Sequence, residues 1–222
     1  MKLLAEGRDS QVFALDERRV LRRYAEPRCL PREVAVMELV RANGYPVPRV
    51  YDLTATDLVM DRIDGSTMAQ DLTRRPWRMR EHAHTLASLH HQLHDIVAPD
   101  WLRAPLGDGP VVLHLDLHPL NVILGPEGPV VIDWANAGRG NGDADVALTW
   151  VLLLTGELDA GPVMQLVTRF GRQAFARMFL RRFVRAAVFD QLDAAAAYRL
   201  ADSNLREGEG PAVRDLVART RR

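Results

Sequence analysis

The chain has 222 residues, 47% of them hydrophobic and 26% charged. At roughly 100–200 residues per domain this is one large or two small globular domains, and a disordered chain is excluded. Lys+Arg and Asp+Glu balance at 29 each, so the basic excess of a dedicated nucleic-acid or membrane-surface binder is missing, although a local basic patch fits the same total.

Two single residues narrow the chemistry. Lys2 is the one lysine, so a site that ordinarily uses a buried lysine must here use arginine or do without. Cys29 is the one cysteine, which excludes an intramolecular disulfide and a cysteine-rich zinc site. Residues 1–8 lack the apolar core of a signal peptide. The longest apolar stretch, 146–154, is interrupted by Thr149 and falls well short of the roughly 18 residues of a membrane span. These readings predict a soluble, cytoplasmic protein without nucleic-acid or membrane partners; they are silent on oligomeric state.

In chain order, residues 12–15 and 19–24 read as two strands of a hairpin, joined by the turn-like Asp16-Glu17-Arg18. Residues 31–41 read as a helix: Pro31 suits a first turn, Val34, Met37 and Val40 recur at helical spacing, and Asn43-Gly44 is a stop signal. Residues 47–53 and 58–63 are two further strands around a polar turn, and Asp64-Gly65 breaks the pattern. Residues 77–97 are expected to form one long helix with Ala83, Leu86, Ala87, His90, Leu93 and Val97 on one face. Short apolar β runs follow at 111–115, 122–124 and 130–132, and from residue 143 onward the pattern is helical. The order is a small β-rich lobe with one helix, a glycine break, then a mainly helical lobe holding a β island.

The island carries the chemistry. His114-Leu115-Asp116-Leu117-His118-Pro119-Leu120-Asn121 is followed, after a turn, by Val130-Val131-Ile132-Asp133-Trp134. Each polar residue stands at the edge of an apolar run, where strands can fix its position. Asp116, Asn121 and Asp133 offer only oxygen ligands, which suits Mg²⁺ far better than zinc or copper. Asp133 is expected at the end of a buried strand, where a carboxylate needs a partner and a cation is a natural one.

The spacing His-x-Asp-x-x-x-x-Asn, with an apolar-Asp turn after it, is that of phosphoryl-transfer enzymes of the protein-kinase type. Here it resembles more closely the aminoglycoside phosphotransferase and choline kinase-like family, whose second motif is Ile-Asp-Trp or Ile-Asp-Phe, as in Ile132-Asp133-Trp134. Gly142-Asp143-Ala144-Asp145-Val146-Ala147 is similar to the segment that follows in that family, with a shorter spacing. The resemblance covers roughly residues 3–155. It implies an α+β, two-lobed protein-kinase-like fold: an N-terminal nucleotide-binding lobe over 1–62, a hinge at 63–65, and a C-terminal catalytic and acceptor-binding lobe over 66–222.

The resemblance also distributes roles. ATP with Mg²⁺ would sit in a cleft between the lobes. Asp116 would orient a substrate hydroxyl and accept its proton, and Asn121 and Asp133 would hold the metal. Around the single-glycine segment 6–12, Gly7 and Ser10 would present an amide or a hydroxyl to phosphate, and Val12 would cover the adenine. Strand alternation puts Val20 and Arg22 on one face, so that if Val20 meets the adenine, Arg22 meets the phosphates in place of the family's lysine. Glu33 lies about where the family's helix glutamate pairs with that cation. In the hinge, Met60 would stand behind the adenine, with the Asp61 carbonyl and the Ile63 amide at its edge. Ile123 and Ile132 would form an apolar floor; plain β core fits these last residues equally well.

His82, His84, His90, His91 and His94 crowd one helix. His90 falls on its apolar face and reads as a packed core histidine. His114 is expected to brace the catalytic loop, and His118 to lie near the acceptor. The implied activity is transfer of the ATP γ-phosphate to a hydroxyl of a small molecule such as an aminoglycoside or another antibiotic. Asp190, Asp193, Asp202, Glu207 and Glu209 either attract a cationic acceptor or form a solvated face. The alternative is a non-catalytic nucleotide-binding regulatory module of the same fold, against which the intact Asp116, Asn121 and Asp133 argue.

Overall fold

The computed structural model describes residues 1–7, 10–27, 30–156, 162–203 and 205–221. Its chain packs as two compact units: Met1–Asp71 with Pro119–Ala137, and Leu72–His118 with Gly138–Arg222. The first unit therefore runs past the 62–66 boundary read from the sequence, and it takes in the loop and strands that carry Asn121 and Asp133.

The chain begins with β1 (Lys2–Glu6), β2 (Ser10–Ala14) and β3 (Arg19–Tyr24), then α1 (Leu30–Ala42), β4 (Val50–Leu53) and β5 (Asp57–Asp61). The five strands form one antiparallel sheet in the order β1-β2-β3-β5-β4. The β2–β3 turn is held by Asp16, whose carboxylate accepts the backbone N–H groups of Arg18 and Arg19, both at 2.8 Å. Thr54 does the same between β4 and β5, its hydroxyl accepting from the Thr56 and Asp57 amides. In α1 the residues Leu30, Val34, Met37 and Val40 are buried, and the helix stops where Gly44 adopts φ 79°. β1 is absent from the sequence reading because all five of its residues are exposed, so no apolar alternation marks it.

Next come β6 (Ser66–Thr67), α2 (Met68–Arg74), a 3₁₀ turn over Pro76–Arg78 and α3 (Met79–His94). Gly65 is required here, because a Cβ on it would fall 2.2 Å from the Leu124 carbonyl oxygen. The long helix expected over 77–97 is shorter at both ends. Pro76 opens a 3₁₀ turn, and beyond His94 the backbone leaves the helix to make β contacts: Val112 N–H donates to the Ile96 carbonyl at 3.0 Å and Ala98 N–H to that of Pro110 at 2.8 Å. Pro99 disfavours helix at the residue before it. Val97, expected on the buried face, is 75% exposed.

The remaining elements are β7 (Val111–Leu113), β8 (Val122–Gly125), β9 (Gly128–Val131), β10 (Gly138–Gly140), α4 (Gly142–Thr155), α5 (Pro162–Leu180), α6 (Arg185–Asp190), α7 (Leu192–Leu200) and α8 (Glu209–Thr220). In the first unit, β6, β8 and β9 form a small antiparallel sheet. In the second, β7 pairs with β10, and the nearly all-buried α4 packs against α5, α6, α7 and α8. β10 has the sequence Gly-Arg-Gly, which carries no strand signal; its pairing with β7 defines it. Among the described residues no helix is long and apolar enough to cross a membrane.

Candidate active site

In the first unit, four charged or polar groups converge on Arg22. Its guanidinium donates to the Ser10 hydroxyl at 3.1 Å and to the Asp133 carboxylate at 3.0 Å, and lies 3.7 Å from Glu33 Oε1. It also stacks over the Tyr24 ring, 4.7 Å from its centroid. Burial works against the charge on Arg22, but Asp133, Tyr24 and Glu33 outweigh it and hold the pKa above the ordinary arginine value. The fork is thus a permanent cation, shielded from bulk water and fixed from several sides. Arg23, next along β3, points the other way and forms a two-bond pair with Asp57 on the surface.

Tyr24 belongs to this group, although the sequence reading passed over it. Its hydroxyl donates to Glu33 Oε2 at 3.2 Å, so Glu33 holds both the phenol and the guanidinium. Burial pushes the phenol pKa up, which keeps it a donor. Strand alternation was the available signal: Val20, Arg22 and Tyr24 share one face of β3.

Asn121 and Asp133 stand at matching ends of β8 and β9. The Ile132 N–H donates to the Asn121 carbonyl at 3.0 Å, and Val122 pairs with Val131. Asp133 does not end a buried strand as expected. β9 stops at Val131, and two residues later Asp133 sits at φ 68° with its side chain 36% exposed. A left-handed turn releases the carboxylate from the strand and turns it onto Arg22. Asp tolerates that conformation because its short polar side chain bonds locally. Trp134 is buried behind it, its indole N–H donating to the Val131 carbonyl at 3.1 Å.

The other residues read for nucleotide contact lie in the same unit. Val12 is directly opposite Arg22 across β2–β3, and Val20 opposite Met60 across β3–β5. The Gly7 N–H donates to the Ser10 carbonyl at 2.8 Å; Arg8 and Asp9, within the proposed phosphate loop, lie outside the described residues. Asp61 turns its carboxylate to the Tyr51 hydroxyl at 2.8 Å and the Arg49 N–H at 2.9 Å. Ile63, Ile123 and Ile132 are all partly exposed.

Asp116 belongs to the second unit. His114 is fully buried and accepts the Asp116 N–H on Nδ1 at 3.2 Å. Leu115 between them has φ 63°, a conformation that costs a non-glycine residue roughly 1–2 kcal/mol and points to a constraint from outside the loop. That constraint is Asp145, on α4. Its Oδ1 accepts the Leu115 N–H at 2.8 Å and its Oδ2 accepts the His114 N–H at 3.3 Å and His94 Nε2–H at 3.1 Å. The loop leaves the Asp116 carboxylate a quarter exposed, with His118 Nε2 3.3 Å from Oδ1.

The histidine-rich helix supports this anchor. His90 is fully buried. Thr149 uses its single hydroxyl proton on the Leu117 carbonyl at 2.8 Å, so it accepts from His90 Nε2 at 3.1 Å. Burial lowers the His90 pKa, against the opposing effect of Asp145, whose carboxylate lies 3.6 Å from Nδ1. Gly142 makes room for His94: a Cβ there would fall 2.7 Å from the ring nitrogen. The contacts of Asp145 and Gly142 are not legible in the sequence, though both lie in the Gly-Asp segment at 142–147.

A family model described as phosphotransferase enzyme family matches residues 1–108 and 69–187. The chain belongs to this family. Solved structures show that the phosphotransferase has the α+β fold of aminoglycoside and ethanolamine kinases. A thermostable mutant of the aminoglycoside phosphotransferase APH(4)-Ia, in apo form, matches with a TM-score of 0.67 at 17% identity, covering 99% of this chain and 94% of that one. A gentamicin complex of APH(2")-IIa matches at 0.63 and 18% identity, covering 90% and 81%. Ethanolamine kinase from Plasmodium vivax matches at 0.60 and 10% identity, covering 98% and 81%. A search of curated proteins gave no match.

Proposed function

We propose that this phosphotransferase moves the γ-phosphoryl group of ATP, with Mg²⁺, to a hydroxyl of a small molecule. The observation that carries the reading is the cluster of Arg22, Glu33, Ser10 and Asp133. It places a permanently charged fork and a part-exposed carboxylate side by side. Phosphoryl transfer needs both signs of charge: a cation for the phosphate oxygens and an anion for the metal that accompanies them.

In this reading Arg22, held by Glu33 and Tyr24, steadies the phosphates. The side chains of Asn121 and Asp133, an all-oxygen donor set, would hold Mg²⁺, which when bound neutralises phosphate charge. Asp116 orients the acceptor hydroxyl and takes its proton. Asp145 and His114 fix the backbone around Asp116, so that little reorganisation is left for the reacting complex. The backbone at the β5 end, at Asp61 and Ile63, reads the nucleotide base, with Met60, Val12, Val20, Ile123 and Ile132 as its apolar surround. Gly7 and Ser10 lie at the phosphates.

The relatives of known structure include a gentamicin complex and an ethanolamine kinase, which supports a hydroxyl acceptor of small size. Calorimetric titration of Mg-ATP, followed by ADP release over a panel of hydroxyl compounds, tests the proposal. Mg-ATP binding and acceptor-dependent ADP release are expected. Binding without turnover on any acceptor would refute the enzyme in favour of a nucleotide-binding module.

A further inference from the structure

A second set of metal-ligating side chains lies on the helices behind the Asp116 loop. His90 and His94 stand one helical turn apart on α3, and Asp145 faces them from α4; all three belong to the second unit. His90 Nδ1 lies 3.6 Å from Asp145 Oδ2, and His94 Nε2 lies 3.1 Å from the same oxygen. The three ligand atoms all fall within 4.8 Å of one another. The side chains of His90 and Asp145 are fully buried, and that of His94 is 15% exposed.

The hydrogen bonds around this set leave one group unmet. Thr149 spends its hydroxyl proton on the Leu117 carbonyl, so the His90 ring carries a hydrogen on Nε2 and donates it to Thr149. His90 Nδ1 is buried and has no hydrogen-bond partner among the described residues. A neutral ring therefore aims a buried lone pair at a carboxylate 3.6 Å away, and a protonated ring aims an N–H too distant to bond to it. A cation held between the two gives each lone pair a partner. The support is also the one a ligating histidine ordinarily has: its other ring nitrogen donates an N–H, here to Thr149.

We propose that His90 Nδ1, His94 Nε2 and Asp145 Oδ2 form a zinc site that cross-links α3 and α4. Two imidazoles and one carboxylate suit Zn²⁺, whereas Mg²⁺ and Ca²⁺ take oxygen ligands. A tetrahedron with zinc–ligand bonds of about 2.0–2.2 Å has edges of about 3.3–3.6 Å, and the separations of 3.1 and 3.6 Å lie close to that range. The third edge, between the two ring nitrogens, is within 4.8 Å and shortens if the part-exposed His94 ring turns inward. The same exposed side leaves the fourth position to water. On coordination the metal replaces the His94 Nε2 hydrogen, and the neutral ring carries its proton on Nδ1, beside which Gly142 leaves space. Asp145 Oδ1 goes on accepting the Leu115 N–H at 2.8 Å, so the ion steadies the anchor of the Asp116 loop. The site is distinct from the oxygen donors Asn121 and Asp133, which belong to the first unit.

The test titrates the untagged, nucleotide-free chain with Zn²⁺, Mg²⁺ or Ca²⁺, followed by calorimetry and thermal unfolding. One zinc per chain is expected, with a rise in Tm of about 5–10 °C at about a hundredfold excess over its Kd, and no such rise with Mg²⁺ or Ca²⁺. Co²⁺ in place of zinc should give the intense visible absorption of a tetrahedral site. His94→Gln changes the one part-exposed ligand and so disturbs the core least. It should weaken zinc by more than about tenfold, the least that even the supporting residues of a metal site contribute. His84→Gln, at an exposed histidine of the same helix, and Asp133→Asn should leave zinc affinity unchanged. No zinc-dependent rise in Tm, unchanged affinity in His94→Gln, or loss of zinc in His84→Gln or Asp133→Asn overturns the site. Should His94→Gln fail to fold, the cobalt spectrum of the wild type decides: the weak bands of octahedral Co²⁺ overturn the site and tetrahedral bands support it.

Discussion

Replacing Asp145 should damage the protein more than its distance in sequence from Asp116 suggests. The carboxylate is fully buried and accepts the Leu115 N–H at 2.8 Å, the His114 N–H at 3.3 Å and His94 Nε2–H at 3.1 Å. Asp145→Ala strands all three donors. A buried donor without a partner costs about 1–3 kcal/mol, and the longest of these bonds contributes least, so the total loss is about 3–5 kcal/mol. Against a domain stability of about 5–15 kcal/mol this is a large fraction. It should appear in urea unfolding as a lower midpoint with an unchanged m-value. Asp145→Asn should recover little, because its amide N–H₂ would face donors.

The loss should also carry a pH signature. Burial by itself would raise the Asp145 carboxyl, but His90 and His94 facing it outweigh that and hold it well below the usual carboxylate range. A folded-state pKa depressed below the unfolded value contributes stability that is fully present above the unfolded pKa of about 3.9, and it is lost as pH falls further. The gap between wild type and variant should therefore stay level from pH 8 to about 5 and narrow below about pH 4. A loss under about 1 kcal/mol, or a gap that ignores pH down to 3, would show that Asp145 is not the anchor of the loop.

Four other substitutions probe separate parts of the molecule. Arg22→Ala removes the cation shared by Ser10, Asp133 and Glu33, and should weaken Mg-ATP binding by about 1.5–3 kcal/mol in calorimetry; unchanged affinity would remove Arg22 from the phosphate site. Asp116→Asn should keep nearly normal Mg-ATP affinity but lose about 10²–10⁴ in rate, whereas Asp133→Asn should lose both affinity and rate; equal loss of binding in the two variants would show the roles are misassigned. Gly65→Ala places a Cβ 2.2 Å from the Leu124 carbonyl oxygen and should cost about 1–3 kcal/mol by thermal or urea unfolding, with full stability contradicting the close approach of β6 to β8.

Much of the fold could be read from local pattern. The β2–β3 hairpin, α1 and the β4–β5 pair follow from apolar spacing and from turn residues such as Asp16, Thr54 and Gly44, whose side chains or backbones make the turns by themselves. Asp116, Asn121 and Asp133 stand out as candidates because each lies beside a short apolar run. Strand alternation even placed Arg22 on the face where Tyr24 and Val20 lie.

Tertiary structure decided what those residues meet. β1 is exposed along its whole length and β10 is Gly-Arg-Gly, so only pairing with a neighbour makes either a strand. The end of α3 is set by hydrogen bonds to residues 110–112, whose energy overrides a helical pattern that continues to Val97. Asp133, two residues past the end of β9, sits in a left-handed turn and meets Arg22, 111 residues away in sequence. Asp145 reaches Leu115 and His114 across 30 and 31 residues, and only the packing of α4 against the loop brings the carboxylate to them. Local chemistry is enough to name a donor, an acceptor or a turn. Which acid neutralises which base, and so which charge is left for a substrate, depends on long-range contacts that spacing along the chain does not encode.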